Sequence, residues 1–286
     1  MDKRRVFRFK ANSYSGGPDW PRAVFTLMLE RTGFDPANRR AMKDLVAVDV
    51  GAGTGKTTFP LADLGCTVIA VEPNEPMRER LVALKGEGGY GNVIVTAGDA
   101  LSLRVPEEYL GRADLVYAAN AAHWWSSKMT GIPRGNEKKV VSAWGAVAKQ
   151  DAKVAIVYLR SQENDPFVKE LHNIIMHHFG DVRHIPTEST VRKVLSVGAF
   201  GDYFAHRNGK PEVTETYGNY DFEFSNFEMF SRWLLNLSYM PDDAFMNENA
   251  VKDFKGFYDR AIQRGNDAAS VMQGLRLYTG LLARDN

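Results

Sequence analysis

Apolar runs punctuate the first 160 positions, and the segments between them switch to a helical period. Leu45-Val46-Ala47-Val48-Asp49-Val50 is unbroken but for one acid, which predicts a strand buried on both faces, as in parallel sheets. Comparable runs predict strands over Thr67 to Val71, Asn92 to Thr96, Ala113 to Ala119 and Val154 to Leu159. Arg22 to Arg31 shows a broad apolar face of Val24, Phe25, Leu27, Met28 and Leu29. Thr57 to Leu64 is predicted helical, with Pro60 in the first turn where a missing N–H is harmless and Gly65 as its stop. Pro76 to Lys85 is expected to turn Met77, Leu81, Val82 and Leu84 inward, and Gly86, Gly88, Gly89 and Gly91 to form the loop beyond. Asn136 to Lys149 offers Val140, Val141, Trp144 and Val147 to the sheet. Strands alternating with helices imply right-handed crossovers and an α/β, doubly wound parallel sheet with helices on both faces.

Beyond Leu159 the pattern changes. Asp165 to Phe179 is a helix, and Arg183 to Asn219 is irregular. Tyr220 to Phe224 alternates like an antiparallel strand. Ser225 or Asn226 caps a helix over about 227–237, a second helix covers about 244–264, and Leu275 to Leu282 alternates as a closing strand.

With 286 residues, 44% hydrophobic and 25% charged, the chain can bury one large core or one core with a cap, so a single α/β domain over 1–286 carrying a lid is expected. The expected division is an N-terminal arm and helix over 1–40, a core over 41–160, and a helical lid with the last strands over 161–286. A net charge of +1 supplies no electrostatic footprint for a phosphate backbone, so nucleic acid is not the expected partner. Lys3, Arg4, Arg5, Arg8 and Lys10 are not followed by an apolar h-region, and no stretch is long enough to span a bilayer. The lone Cys66 excludes an internal disulfide and fits a reducing, cytoplasmic compartment, as a small packing residue near the second strand.

The most informative stretch is the turn after the first strand. Gly51, Gly53 and Gly55 permit backbone angles closed to other residues and let a ligand approach the main chain. Followed by a helix, they are expected to place amide N–H groups around whatever lies above. Gly55-Lys56-Thr57 supplies the second half of a nucleoside-triphosphate loop, but Val50 stands where its first glycine belongs. The spacing G-x-G-x-G is tighter than the G-x-G-x-x-G of dinucleotide sites and suits a ligand without a pyrophosphate. Glu72, at the end of the next apolar run, is placed to accept both hydroxyls of a ribose. A nucleoside cofactor follows.

Here the chain resembles the seven-stranded, class I S-adenosylmethionine-dependent methyltransferases. Val48-Asp49-Val50-Gly51-Ala52-Gly53-Thr54-Gly55 looks like that family's first motif, and Val71-Glu72-Pro73-Asn74-Glu75-Pro76-Met77 like its second. Val95-Thr96-Ala97-Gly98-Asp99-Ala100 is similar to the third, and Asp114-Leu115-Val116-Tyr117-Ala118-Ala119-Asn120 to the fourth. The resemblance implies a Rossmann-like sheet of seven strands, mostly parallel with an antiparallel C-terminal strand. It also implies S-adenosylmethionine as cofactor, with S-adenosylhomocysteine as product. Asp99 then takes the adenine amino group, with the Ala100 amide serving the ring nitrogens; the plainer role for Asp99 is capping the next segment. Met77 touches adenine or packs in the core. Main-chain groups of Asn120 and Ala121 border the methionine part, with Trp124 beside them or in the core. Tyr14 and Trp20 belong to an arm that packs on the surface or closes over the site, Tyr14 on the cofactor side and Trp20 on the substrate side.

His123 is the candidate catalytic group, able to take a proton from a hydroxyl or amine or to orient a carboxylate; its alternative is tying down the loop. The His-Trp pair after this strand resembles the trans-aconitate methyltransferase branch. Trp125 is a candidate substrate wall, Trp233 and Tyr239 are candidate walls or plain core, and Arg160 is a surface charge or an anchor for an acidic substrate. His172, His177 and His178 lack the spacing of a ligand pair on one helix face, so no metal is expected. An activated methyl needs mainly alignment and exclusion of water, so transfer to oxygen of a small molecule leads, with nitrogen or carbon behind. A fold that binds the cofactor without methylating, as a regulator or a cyclisation catalyst, is the alternative; a nicotinamide oxidoreductase ranks last. The sequence is silent on oligomeric state.

Overall fold

The computed structural model describes residues 11–121, 137–161, 166–180, 212–217, 222–236, 240, 244–265, 269–271 and 273–281. Among them, β1 (Val46–Val50), β2 (Thr67–Val71), β3 (Val93–Thr96) and β4 (Ala113–Ala119) join β5 (Ala148–Ser161), β6 (Glu212–Tyr217) and β9 (Gln273–Leu281) in a sheet of order β3-β2-β1-β4-β5-β9-β6. The first five strands are parallel, whereas β9 runs antiparallel to both β5 and β6. The strand order reverses at β1. The crevice between the carboxyl ends of β1 and β4 is where ligands of open α/β sheets bind.

The helices follow from the residues that they bury. In α2 (Arg22–Arg31) these are Val24, Phe25, Met28 and Leu29. After α3 (Arg39–Asp44), the short α4 (Thr58–Asp63) carries Pro60 in its first turn, and Gly65, at φ +104°, ends it. In α5 (Glu75–Gly88), Asn74 Oδ1 accepts the Met77 N–H and left-handed Gly89 closes the C-terminus. Met77 and Leu81 point inward, but Val82 is 51% exposed, and Gly86 and Gly88 lie inside the helix rather than in the loop. The glycines are helical because α5 runs nearly a turn past Lys85, and Val82 faces out because it lies about 100° around the helix from the buried Leu81. In α6 (Glu137–Val147) the inward residues are Val140, Trp144 and Val147. Each β1 position after Val46 is buried, which accounts for its unbroken apolar run.

The tail departs furthest from expectation. The strand beside β9 is β6, drawn from the region expected to be irregular, and among the described strands it pairs with β9 alone. By contrast β7 (Phe222–Phe224) pairs with β8 (Ala269–Val271) in a separate two-stranded sheet. Helices α7 (Pro166–Phe179), α8 (Phe227–Asn236) and α9 (Glu248–Gly265) complete this part, with Asn226 Oδ1 accepting the Met229 N–H as the cap of α8. Phe224, Phe230, Trp233, Phe254 and Phe257 are buried in the same cluster as α2 and one face of β1 and β2. No helix among the described residues is long and apolar enough to cross a membrane.

Candidate functional site

The turn after β1 is built from three left-handed glycines, at φ +80° (Gly51), +59° (Gly53) and +95° (Gly55). Only glycine suits two of them on space as well. A Cβ on Gly51 would sit 2.7 Å from Ala121 Cβ, and one on Gly55 2.5 Å from Leu81 Cδ1. The turn's amides are largely spent inside the protein. Those of Gly51 and Ala52 donate to the Val71 carbonyl, that of Gly53 to Glu72, and that of Gly55 to the Ala52 carbonyl. They are therefore not presented to a phosphate, contrary to the amide cradle expected from the glycines.

Lys56, the residue that suggested a triphosphate loop, is also engaged elsewhere. Its Nζ donates to the Gly17 carbonyl at 2.8 Å and to Asp19 at 3.1 Å, with the stem nearly buried. Burial lowers its pKa, against the pull of Asp19.

Two buried carboxyls flank the turn. Glu72 Oε2 accepts the Gly53 N–H at 2.7 Å and Oε1 accepts the Asn74 N–H at 2.8 Å. Each oxygen keeps a lone pair for a further donor. Burial pushes Glu72 up to about 7, against those two amides. Asp49, within β1, accepts from the Thr57 and Thr58 hydroxyls, each at 2.8 Å, and burial pushes it up to about 6. The Tyr117 hydroxyl closes this layer by donating to the Thr57 carbonyl at 3.1 Å. Asp49 thus ties the turn and α4 to β1 from below, and Glu72 holds the turn from beside it.

The arm lies across the top. In α1 (Ala11–Ser15), Tyr14 packs so that its Cε1 is 3.5 Å from where a Gly53 Cβ would be. Burial, with Glu72 and Asp49 nearby, pushes the Tyr14 hydroxyl up to about 12. Ser15 receives an N–H from Arg80 of α5, and Gly16 sits so close to Arg232 of α8 that a Cβ would be 2.4 Å from its guanidinium. Trp20, by contrast, is buried against Phe25 in the core, with ring centroids 6.4 Å apart.

Across the crevice, Asn120 at the end of β4 is the one non-glycine residue with positive φ, +47°, among those described. Its N–H donates to Val157 and its Oδ1 accepts from Leu159 N–H, so its side chain extends the pairing with β5 by one bond. Left-handed geometry at a non-glycine residue is a strain commonly kept at functional sites. Sequence reasoning placed Asn120 here but had no signal for its conformation.

The remaining candidates divide. Asp99 is exposed, and its Oδ1 accepts the N–H groups of Leu101 and Ser102, the capping geometry; Ala100 beside it is buried. Pro73 precedes the cap of α5, and Met77 is buried. Trp233 is packed among Phe224 and Phe230 at 5.3 and 5.9 Å between ring centroids. His123, Trp124, Trp125 and Tyr239, and the side chain of Arg160, lie outside the described residues. His178 pairs with Asp253 of α9 at 2.8 Å. Among the described residues no group of three or more His, Cys, Asp or Glu side chains could hold a metal.

The residues present fit a nucleoside cofactor. The glycine cradle leaves no room for side chains, Glu72 retains acceptor capacity, and the Thr54 hydroxyl is buried with no hydrogen-bond partner among the described residues. Comparison with known proteins agrees. Residues 48–156 match the family described as Methyltransferase domain, a span from β1 into β5. An uncharacterized methyltransferase of Geobacillus sp. (strain WCH70) is 23% identical over 176 residues, 59% of this chain and 76% of that protein. Among solved structures, a protein assigned as a type II methyltransferase from Anaeromyxobacter dehalogenans superposes with a TM-score of 0.58. It is 16% identical, over 94% of this chain and 99% of the other, a likeness of fold. The YcgJ protein of Bacillus subtilis gives 0.45 at 19% identity over 84% and 93%. Residues 48–156 thus match a methyltransferase domain on a methyltransferase fold, and S-adenosylmethionine is the cofactor that this match implies.

Proposed function

We propose that the protein transfers the methyl group to an oxygen of a small molecule, a carboxylate or a hydroxyl, in a reducing, cytoplasmic setting. The observation that carries the small-molecule part is the arm: Tyr14 lies over Gly53, and Lys56 pins the segment behind it. A covered turn admits a compact acceptor more readily than a polymer, and the net charge of +1 offers no track for nucleic acid. On this reading residues 1–40 cover the site, 41–160 hold the cofactor and 161–286 supply a lid and the last strands.

S-adenosylmethionine supplies a methyl group already activated by a positively charged sulfur. What remains for the chain is binding, alignment and exclusion of water. Glu72 would receive the ribose hydroxyls on its free lone pairs. Gly51, Ala52, Gly53, Thr54 and Gly55 would form the floor of the cofactor site, with Asp49 fixing them from below and Pro73 leading into α5. Asp99, Ala100 and Met77 would border adenine, Asn120, Ala121 and Trp124 the amino-acid part, and Tyr14 the upper side. His123 would take the proton of a hydroxyl acceptor or orient a carboxylate, as in the trans-aconitate methyltransferase-like branch that this sequence resembles. Arg160 would anchor an acidic acceptor, with Trp125 and Tyr239 as walls; Trp20 and Trp233, being core residues, would act only from behind that wall.

Incubation with methyl-labelled cofactor and a metabolite extract tests this. Label is expected in a small acidic or hydroxylated compound, released by mild base if the product is a methyl ester. Tight cofactor binding with no transfer would support the non-methylating alternative instead.

A further inference from the structure

The triphosphate-like segment Gly55-Lys56-Thr57 is not absorbed by the reaction, and its lysine is the best-placed group without a role. Its Nζ crosses from the turn to the arm, donating to the Gly17 carbonyl at 2.8 Å and to Asp19 at 3.1 Å. Gly17 N–H in turn donates to the Tyr14 carbonyl at 3.3 Å, so the clasped residue is bonded to the one that covers Gly53. The clasp is unequal. The lysine side chain is only 10% exposed whereas that of Asp19 is 93% exposed, so the firm contact is with the Gly17 carbonyl. Other contacts of the arm are weaker or reach different bodies: Arg80 to Ser15 at 3.3 Å from α5, and Arg232 beside Gly16 from α8.

We propose that Lys56 is a positioning residue that latches the N-terminal arm down over the cofactor site, so that the cofactor leaves only when this clasp opens. The inference rests on the cofactor reading above. A nearly buried ammonium costs desolvation, and among the described residues the polar groups that offset that cost belong to the arm. The position is suited to control. The residue that follows the last glycine of the turn senses the floor of the site while its charged end holds the cover.

The test compares wild type with K56M, which keeps the buried stem and removes the charge. Hydrogen exchange of residues 11–20 and the dissociation rate of S-adenosylhomocysteine are the readouts. Expected are arm exchange faster by about tenfold, product dissociation faster by a similar factor, and a raised KM for the cofactor at nearly unchanged kcat. A merely structural role would lower the melting temperature without moving the arm selectively. Arm exchange and product dissociation identical to wild type in a folded K56M would overturn the proposal. Should K56M not fold, D19A at the exposed end is expected to speed arm exchange about twofold, and no change there would overturn it. If wild type does not bind S-adenosylhomocysteine the cofactor reading fails, yet unliganded arm exchange still decides the latch.

Discussion

Two regions of this molecule are buried to a similar degree and differ in what they bury. Around the turn after β1 the interior holds two carboxyls, a phenol, a lysine and a hydroxyl with no hydrogen-bond partner among the described residues. Around α8 and α9 it holds rings: Phe224, Phe230, Trp233, Phe257 and Tyr258, and the Tyr258 hydroxyl is satisfied by the Phe224 carbonyl at 3.2 Å. The first region carries costs with no packing benefit, namely positive φ at Asn120 and carboxyls pushed up by burial. Such costs are retained where a ligand repays them, whereas the aromatic region is explained by its own packing. The difference separates site from scaffold more sharply than residue type does, since tryptophan, tyrosine and methionine occur on both sides.

Breaking the scaffold has the largest effect. Phe230→Ala should cost about 3–5 kcal/mol of stability, measured by urea unfolding, and leave the product dissociation constant within about twofold in the folded protein. The site should respond to pH instead. Unfolded Glu72 ionises near 4.5 and the folded residue at about 7, so between those values the unfolded state holds fewer protons. Stability therefore falls as pH rises through that window and levels off above it, by on the order of 3 kcal/mol for this group. Asp49 adds a decline between 3.8 and about 6. Glu72→Gln should remove the part of the slope nearest pH 7 in unfolding curves taken across the window.

Gly51→Val should weaken product binding about 50-fold, since it combines a left-handed backbone with a contact against Ala121. Calorimetric titration of the folded variant checks this. The smallest effect belongs to the surface. Arg260→Ala, which removes an exposed pair with Glu170, should change unfolding free energy by less than about 1 kcal/mol and binding not at all.

The sheet through β4 was legible because each strand is an apolar run, with Ala113–Ala119 matched to the residue, whereas β5, read as Val154 to Leu159, begins at Ala148 because its first half, Lys149-Gln150-Asp151, carries no apolar run to mark it. The tail was not. β6, Glu212-Val213-Thr214-Glu215-Thr216-Tyr217, has no sustained hydrophobic alternation to betray it, whereas Tyr220 to Phe224, which does alternate, contains the antiparallel β7 of the separate two-stranded sheet. In the site, Glu72 could be placed from its distance to the glycines. The engagement of the turn's amides by Val71 and Glu72, and the reach of Lys56 to Gly17, could not, because each depends on partners brought close only by the fold. Aromatic residues misled in the opposite sense: Trp20 and Trp233 look like pocket walls in sequence and are core rings in the fold.

The account stands or falls on Glu72 gripping a ribose beside the glycine turn. Calorimetry with S-adenosylhomocysteine and with its 2′,3′-dideoxy analogue tests that grip in wild type and in Glu72→Gln. Wild type is predicted to bind one product per chain and to prefer it over the analogue by at least about tenfold, a preference that Glu72→Gln abolishes. Equal affinity of wild type for the two compounds, or no heat with either, would contradict it.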